Sequence, residues 1–187
     1  MRSVSQRCPP SIRASNSGEL VVSWEQYHRL IEHLALQLHH AAADFDQIVA
    51  LSRGGLRVGD VLSRLFECPL VVMAATSYHG DGGRIQGQLK LGHELAHTCE
   101  QLGPRLLLVD DLVESGTTLA HASARLQTEL NDAQLLTGVL WLKGRSRFQP
   151  DFWSMELPEN PWIVQPFARW ELLQPDALEP MSSTLWA

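Results

Sequence analysis

Asp110, Asp111 and Glu114 stand close together in LLLVDDLVESGTTL, residues 106–119, and Ser115-Gly116-Thr117-Thr118 follows at once. Two chemistries meet there. Hydroxyls around a glycine at the start of a helix make a cradle for a phosphate monoester. The first N–H groups of a helix have no partner within it and favour anions. Ser115, Thr117 and Thr118 add O–H donors, and Gly116 lets the backbone approach closely. The loop is not a Walker A, since GxxxxGK[ST] is absent. Carboxylates beside such a cradle repel a phosphate, but they accept hydrogen bonds from sugar hydroxyls and suit Mg²⁺. A sugar phosphate satisfies both halves, with its phosphate on Ser115, Gly116, Thr117 and Thr118 and its hydroxyls and metal at Asp110 and Asp111. An acidic helix entry that only complements the dipole accounts for Glu114 and Ser115. It does not account for two carboxylates at the end of a buried strand.

A strand and a helix must present these residues. Residues 105–109 are apolar enough for a buried strand, and residues 116–130 put Leu119, Ala122 and Leu126 on one helical face. Ser23-Trp24-Glu25-Gln26 has capping-box spacing. Trp24, Tyr27, Leu30, Ile31, Leu34 and Leu38 then recur at helical period, which predicts a helix over 24–40. Residues 47–51 read as a buried strand ending in the loop Ser52-Arg53-Gly54-Gly55. Val58, Val61, Leu62 and Leu65 mark a second helix, and further strands are expected at 70–75, 135–142 and 152–157. Residues 79–87, HGDGGRIQG, lack periodicity and read as a long mobile loop of the kind that often carries function. Strands alternating with helices predict an α/β fold: a mostly parallel sheet flanked by helices, with ligands at the carboxyl ends of the strands. The loops after Leu51, Val109 and Leu142 lie at that edge.

A chain of 187 residues suggests one domain with short extensions. Its 44% hydrophobic content supplies a core. No apolar run approaches the roughly 18 residues of a membrane span, so no membrane partner is expected. The net charge of −6 argues against a nucleic-acid partner, which calls for a basic face. It also means that local devices or a metal must hold any phosphorylated ligand. Cys8, Cys68 and Cys99 are odd in number and widely spaced, which fits a reducing cytoplasm rather than a disulfide framework. Residues 1–18 have three arginines and no acid, a faint transit-peptide composition. Pro9-Pro10 breaks any amphipathic helix there. Residues 1–20 are therefore expected to be a disordered extension, 21–171 the domain and 172–187 a tail.

VDDLVESGTTL resembles the phosphoribosyl-pyrophosphate (PRPP) signature of the type I phosphoribosyltransferases. The similarity runs from about Val22 to Phe167. IVALSRGGL resembles that family's pyrophosphate loop, Thr76-Ser77-Tyr78 the start of its flexible catalytic loop, Trp141-Leu142-Lys143 its base-reading strand end, and PWIVQP, 161–166, its base-stacking segment. Together they look most like the bacterial xanthine-guanine and hypoxanthine enzymes. The resemblance implies a type I phosphoribosyltransferase fold with a small base-binding hood, and transfer of a phosphoribosyl group from PRPP to an oxopurine with Mg²⁺ as cofactor. It implies a homodimer or homotetramer. It assigns Arg53 and Gly54 to pyrophosphate through a peptide N–H, the Arg53–Gly54 peptide often being cis in the family. It assigns Asp110 and Asp111 to ribose, with Asp111 at the Mg²⁺, and Ser115, Gly116, Thr117 and Thr118 to the 5′-phosphate. Glu114 falls near purine N7 as the proton-transfer residue, Lys143 at the purine 6-oxygen, Trp162 on the purine face and Ile163 at its edge.

This chain departs from the family in places. Glu114 stands where the family usually has aspartate. Ala168 stands where relatives commonly carry an acid near a second Mg²⁺, the nearest acid here being Glu171. Arg84 is the candidate for a phosphate-reading arginine in the flexible loop. These departures keep open a rival reading, a PRPP- or nucleotide-binding regulator of the same fold with little catalysis. His93-Glu94-Leu95-Ala96-His97 matches HExxH, which on a helix would bind zinc. Gly92 before it and Gly103-Pro104 after it leave little room for a zincin helix, so a metalloprotease is not expected.

Overall fold

The structure, a computed structural model, describes residues 18–79, 85–130 and 133–178. Helix α1 spans Trp24–His40, and its start is written in the sequence. The Ser23 hydroxyl accepts from the Gln26 N–H at 3.1 Å, and the Ser23 N–H donates to Gln26 Oε1 at 2.8 Å, so two otherwise unpaired amides are satisfied reciprocally. Tyr27, Leu30, Ile31, Leu34 and Leu38 form its buried face.

Strands β2 (Gln47–Ser52), β3 (Leu70–His79), β4 (Ile85–Ala96), β5 (Arg105–Val113), β6 (Gln134–Lys143) and β7 (Phe152–Leu157) form one sheet in the order β4-β3-β2-β5-β6-β7. Every pairing is parallel except β3 with β4. Helices α1 and α2 (Gly54–Leu65) cover one face and α3 (Thr117–Glu129) the other. The alternation along β5 divides the core: Leu107 and Val109 join the α1–α2 side, Leu106 and Leu108 the α3 side. The chain leaves β2 to one side for β3 and returns to its other side as β5. That is a topological switch point, where such sheets bind ligands beyond the strand ends.

Two expectations needed correction. Strand β5 does not stop at Val109 but continues through both aspartates to Val113, held by parallel pairing of Leu112 with Trp141 and Val113 with Leu142. The stretch 79–87 is not one long loop, because β3 runs to His79 and β4 starts at Ile85, and the two pair antiparallel. His93 and Glu94 lie in β4 and not on a helix, and His97 follows just beyond its end. A strand does not give the one-turn spacing by which HExxH presents both histidines on one helix face. Arg84 lies outside the described residues.

A second, two-stranded sheet was not anticipated. Strand β1 (Glu19–Val21) pairs in parallel with β8 (Trp162–Val164), Leu20 opposite Ile163. Short helix α4 (Arg169–Leu172) follows. No helix among the described residues is long and apolar enough to cross a membrane.

Candidate active site

The acids, the Ser115 loop, the Arg53–Gly54 turn and Lys143 lie at the carboxyl edge of β2, β5 and β6. Helix α2 starts directly against β5. A Cβ on Gly54 would overlap the Asp111 carboxylate, and one on Gly55 would collide with the Val109 carbonyl oxygen. Only glycines allow that approach. The cis peptide lies between Ser52 and Arg53, one bond earlier than expected. Arg53 itself is exposed, with its guanidinium 3.8 Å from Glu171 on α4.

Asp110 and Asp111 face this helix start. The Asp111 N–H donates to Asp110 Oδ1 at 2.9 Å, and Gln165 Nε2 donates to Asp111 Oδ2 at 2.8 Å. Burial, followed by the neighbouring Asp111 charge, pushes the Asp110 carboxyl well above the usual carboxylate range. Burial pushes Asp111 up to about 6, against the lowering effect of hydrogen bonds and of Arg57. The pair is therefore short of positive charge. Hard oxygen donors lacking counter-charge fit Mg²⁺, which is commonly held by one or two carboxylates together with substrate phosphates.

Beyond the acids the chain turns at Gly116, whose φ of 85° is left-handed, and enters α3 with no side-chain cap. A Cβ at Gly116 would lie 2.8 Å from the Phe148 nitrogen. Ser115 and Thr117 hydroxyls are 3.0 Å apart, and the Thr117 N–H donates to Ser115 Oγ at 3.3 Å. With Glu114, Arg145 and Arg147 they line a cavity of about 340 Å³. The helix start and two guanidinium groups give this cavity donors that suit an anion. Thr118 occupies the first turn of α3.

Lys143, at the end of β6, is buried at 3% exposure, and its Nζ donates to Glu114 Oε1 at 2.7 Å. Arg145 donates to the same oxygen. The Lys143 ammonium lies 5.9 Å from the centre of the Trp162 ring, and Ile163 beside it is buried. Glu114, Lys143 and Trp162 are thus brought together, with Glu114 tied to two cations. Ala168 carries no acid, and its N–H closes a turn onto the Gln165 carbonyl.

Sequence reasoning missed Arg145, Arg147, Gln165 and Arg57. The basic run Gly-Arg-Ser-Arg immediately after Lys143 was a readable signal. Gln165 gave none, because a lone glutamine does not announce a partner 54 residues away.

The phosphoribosyl transferase domain family matches residues 23–170. A xanthine-guanine phosphoribosyltransferase from Chromohalobacter salexigens is 32% identical over 151 residues, covering 80% of this chain and 83% of that protein. Its counterpart in Gluconobacter oxydans is 31% identical over 147 residues, 78% of this chain and 82% of its own. Among solved structures, a purine phosphoribosyltransferase from Pyrococcus horikoshii aligns with a TM-score of 0.64 at 25% identity, covering 80% of this chain and 94% of that one.

Proposed function

The chain belongs to the phosphoribosyl transferase domain family, and from that premise we propose that it transfers the 5-phosphoribosyl group from PRPP to an oxopurine (guanine, xanthine or hypoxanthine), releasing pyrophosphate in purine salvage. The observation that carries this beyond the family is the buried Lys143 ammonium beside the Trp162 ring. An ammonium has three donors. One is used by Glu114, so others can reach a 6-oxo group on a purine stacked against Trp162. An adenine amino group offers a donor at that place and would leave the lysine unmatched.

In this reading the anion site of Ser115, Gly116, Thr117 and Thr118 takes the 5′-phosphate. Asp110 and Asp111 take the ribose hydroxyls, and the Arg53–Gly54 turn takes the pyrophosphate. Asp111 is the residue that would hold Mg²⁺, which when bound supplies charge neutralisation to the diphosphate. Purine N9 bonds to C1′ as the bond from C1′ to the pyrophosphate oxygen breaks, and the N7 proton passes to Glu114. The protein's share is mainly positioning and electrostatics. For Glu114 to accept a proton, its hold on Lys143 and Arg145 must loosen when the purine enters. That tether is the one observation favouring the rival reading of a weakly catalytic nucleotide binder. A homodimer or homotetramer in the cytoplasm is the expected setting.

Pyrophosphate release from PRPP and Mg²⁺ with a panel of bases tests the proposal. Turnover is expected with at least one oxopurine and not with adenine. Tight PRPP binding with no turnover on any base would establish the rival instead.

A further inference from the structure

Helix α2 carries a second arginine near the turn assigned to pyrophosphate. Arg57 lies one turn into the helix that opens at Gly54, and its guanidinium carbon sits 4.2 Å over the centre of the Phe167 ring. Phe167 is fixed in turn by Tyr27, whose ring meets it edge-on at 5.7 Å, and by Trp24 at 6.3 Å. The aromatic wall engages the guanidinium through a ring face without consuming its donors. Among the described residues Arg57 makes no hydrogen bond and no ion pair. Arg53, by contrast, already faces Glu171. The segment beside Phe167 offers no carboxylate to Arg57, because its next residue is Ala168.

The same small volume holds the acid pair and a phenol. Asp111 lies against Gly54, at the start of Arg57's own helix. The Tyr27 hydroxyl is fully buried and has no hydrogen-bond partner among the described residues. It feels Asp111, Arg57 and Asp110 as its nearest charges. A half-buried guanidinium that is unbonded among the described residues, set over an aromatic ring near two acids and the open end of a helix, is an arrangement for a multiply charged oxyanion.

We propose that Arg57, stacked on Phe167, is a further diphosphate-binding residue of this site, a protein-borne positive charge that takes the pyrophosphate group alongside the metal. The assignment rests on the phosphoribosyltransferase reading for the identity of the anion. Inorganic pyrophosphate is the probe, titrated calorimetrically into the full-length protein with and without Mg²⁺. Arg57→Met keeps the stem over Phe167 and removes the charge, and it is expected to weaken pyrophosphate binding by roughly tenfold or more, the scale of a charge-assisted hydrogen bond. Arg57→Lys should recover part of that loss. Guanosine monophosphate, whose phosphate belongs on the Ser115 loop, should bind Arg57→Met as it binds the parent. Unchanged pyrophosphate affinity in Arg57→Met overturns the proposal. So does an equal loss for pyrophosphate and nucleotide, which would mark Arg57 as structural. Turnover by the parent protein is read separately: if it fails while Arg57→Met still loses pyrophosphate, the catalytic reading falls and this assignment stands.

Discussion

Gln165 gives the Asp111 carboxylate an N–H at 2.8 Å, and Gln165 directly follows the strand that carries Trp162 and Ile163. One amide therefore joins the segment assigned to the base to the acid assigned to ribose and metal. Its carbonyl oxygen is buried and has no partner among the described residues, so the bond to Asp111 is the side chain's main tie there.

Gln165→Leu removes that donor from a carboxylate already short of positive partners. Apparent affinity for PRPP with Mg²⁺ is expected to fall about tenfold, since a hydrogen bond to a charged group contributes about 1.5–3 kcal/mol. KM values for PRPP and for the base, measured separately, check it. An unchanged KM for PRPP would show that Asp111 needs no help from Gln165.

Among the described residues, Glu114 is the acid that pairs with buried Lys143. Glu114→Gln leaves that ammonium without its counter-charge, and a loss of about 3–5 kcal/mol in unfolding free energy is expected, the usual cost of breaking a buried pair. Arg145, exposed and bonded to the same oxygen, should cost less than about 1 kcal/mol when changed to Ala. Urea titrations of both variants decide the matter, and equal losses would mean that Lys143 is not the partner that counts.

Lys143→Ala is expected to impair oxopurine use far more than PRPP binding. Steady-state kinetics with varied base, set beside a PRPP binding isotherm, separates the two. Parallel loss would assign Lys143 to the fold.

The acid pair makes a pH prediction. A carboxyl whose folded pKa is raised binds protons more readily in the folded chain, so its stabilising contribution is full below the ordinary value near 4 and is lost as pH rises through about 6. In metal-free buffer at neutral pH, Asp111→Asn should therefore melt above the parent, and the gap should close as pH is lowered toward 4. A gap that stays constant over that range would remove burial of the ionised carboxyl as a source of instability.

Much of this was legible in the sequence. The capping box fixed the start of α1 at Trp24, and strand ends rich in glycine, acid or lysine pointed to one edge of the sheet. What escaped had physical causes. Strand β5 was cut short because a polar pair looks like a strand's end, whereas the backbone of Asp110, Leu112 and Val113 continues to pair with β6 whatever the side chains are. The hairpin of β3 and β4 was hidden by glycines and by irregular register between Met73 and Tyr78, which breaks the alternation a reader looks for. Strands β1 and β8 are three residues each, too short to carry a period. Arg57, Arg145 and Gln165 act across space, and no local pattern encodes that.

The pairing of β1 with β8 joins two segments that lie far apart in the chain. The turn proposed for pyrophosphate, the acid pair and the loop proposed for phosphate all come from residues 53–118, around the paired strands β2 and β5. The strand bearing Trp162 gains its parallel partner only when residues 19–21 return to it across some 140 positions of chain. A protein shortened at its amino end past Val21 would keep the acid pair and the Ser115 loop, while the strand bearing Trp162 lost its parallel partner and, just beyond it, Gln165 and Phe167 lost their anchorage beside Asp111 and Arg57.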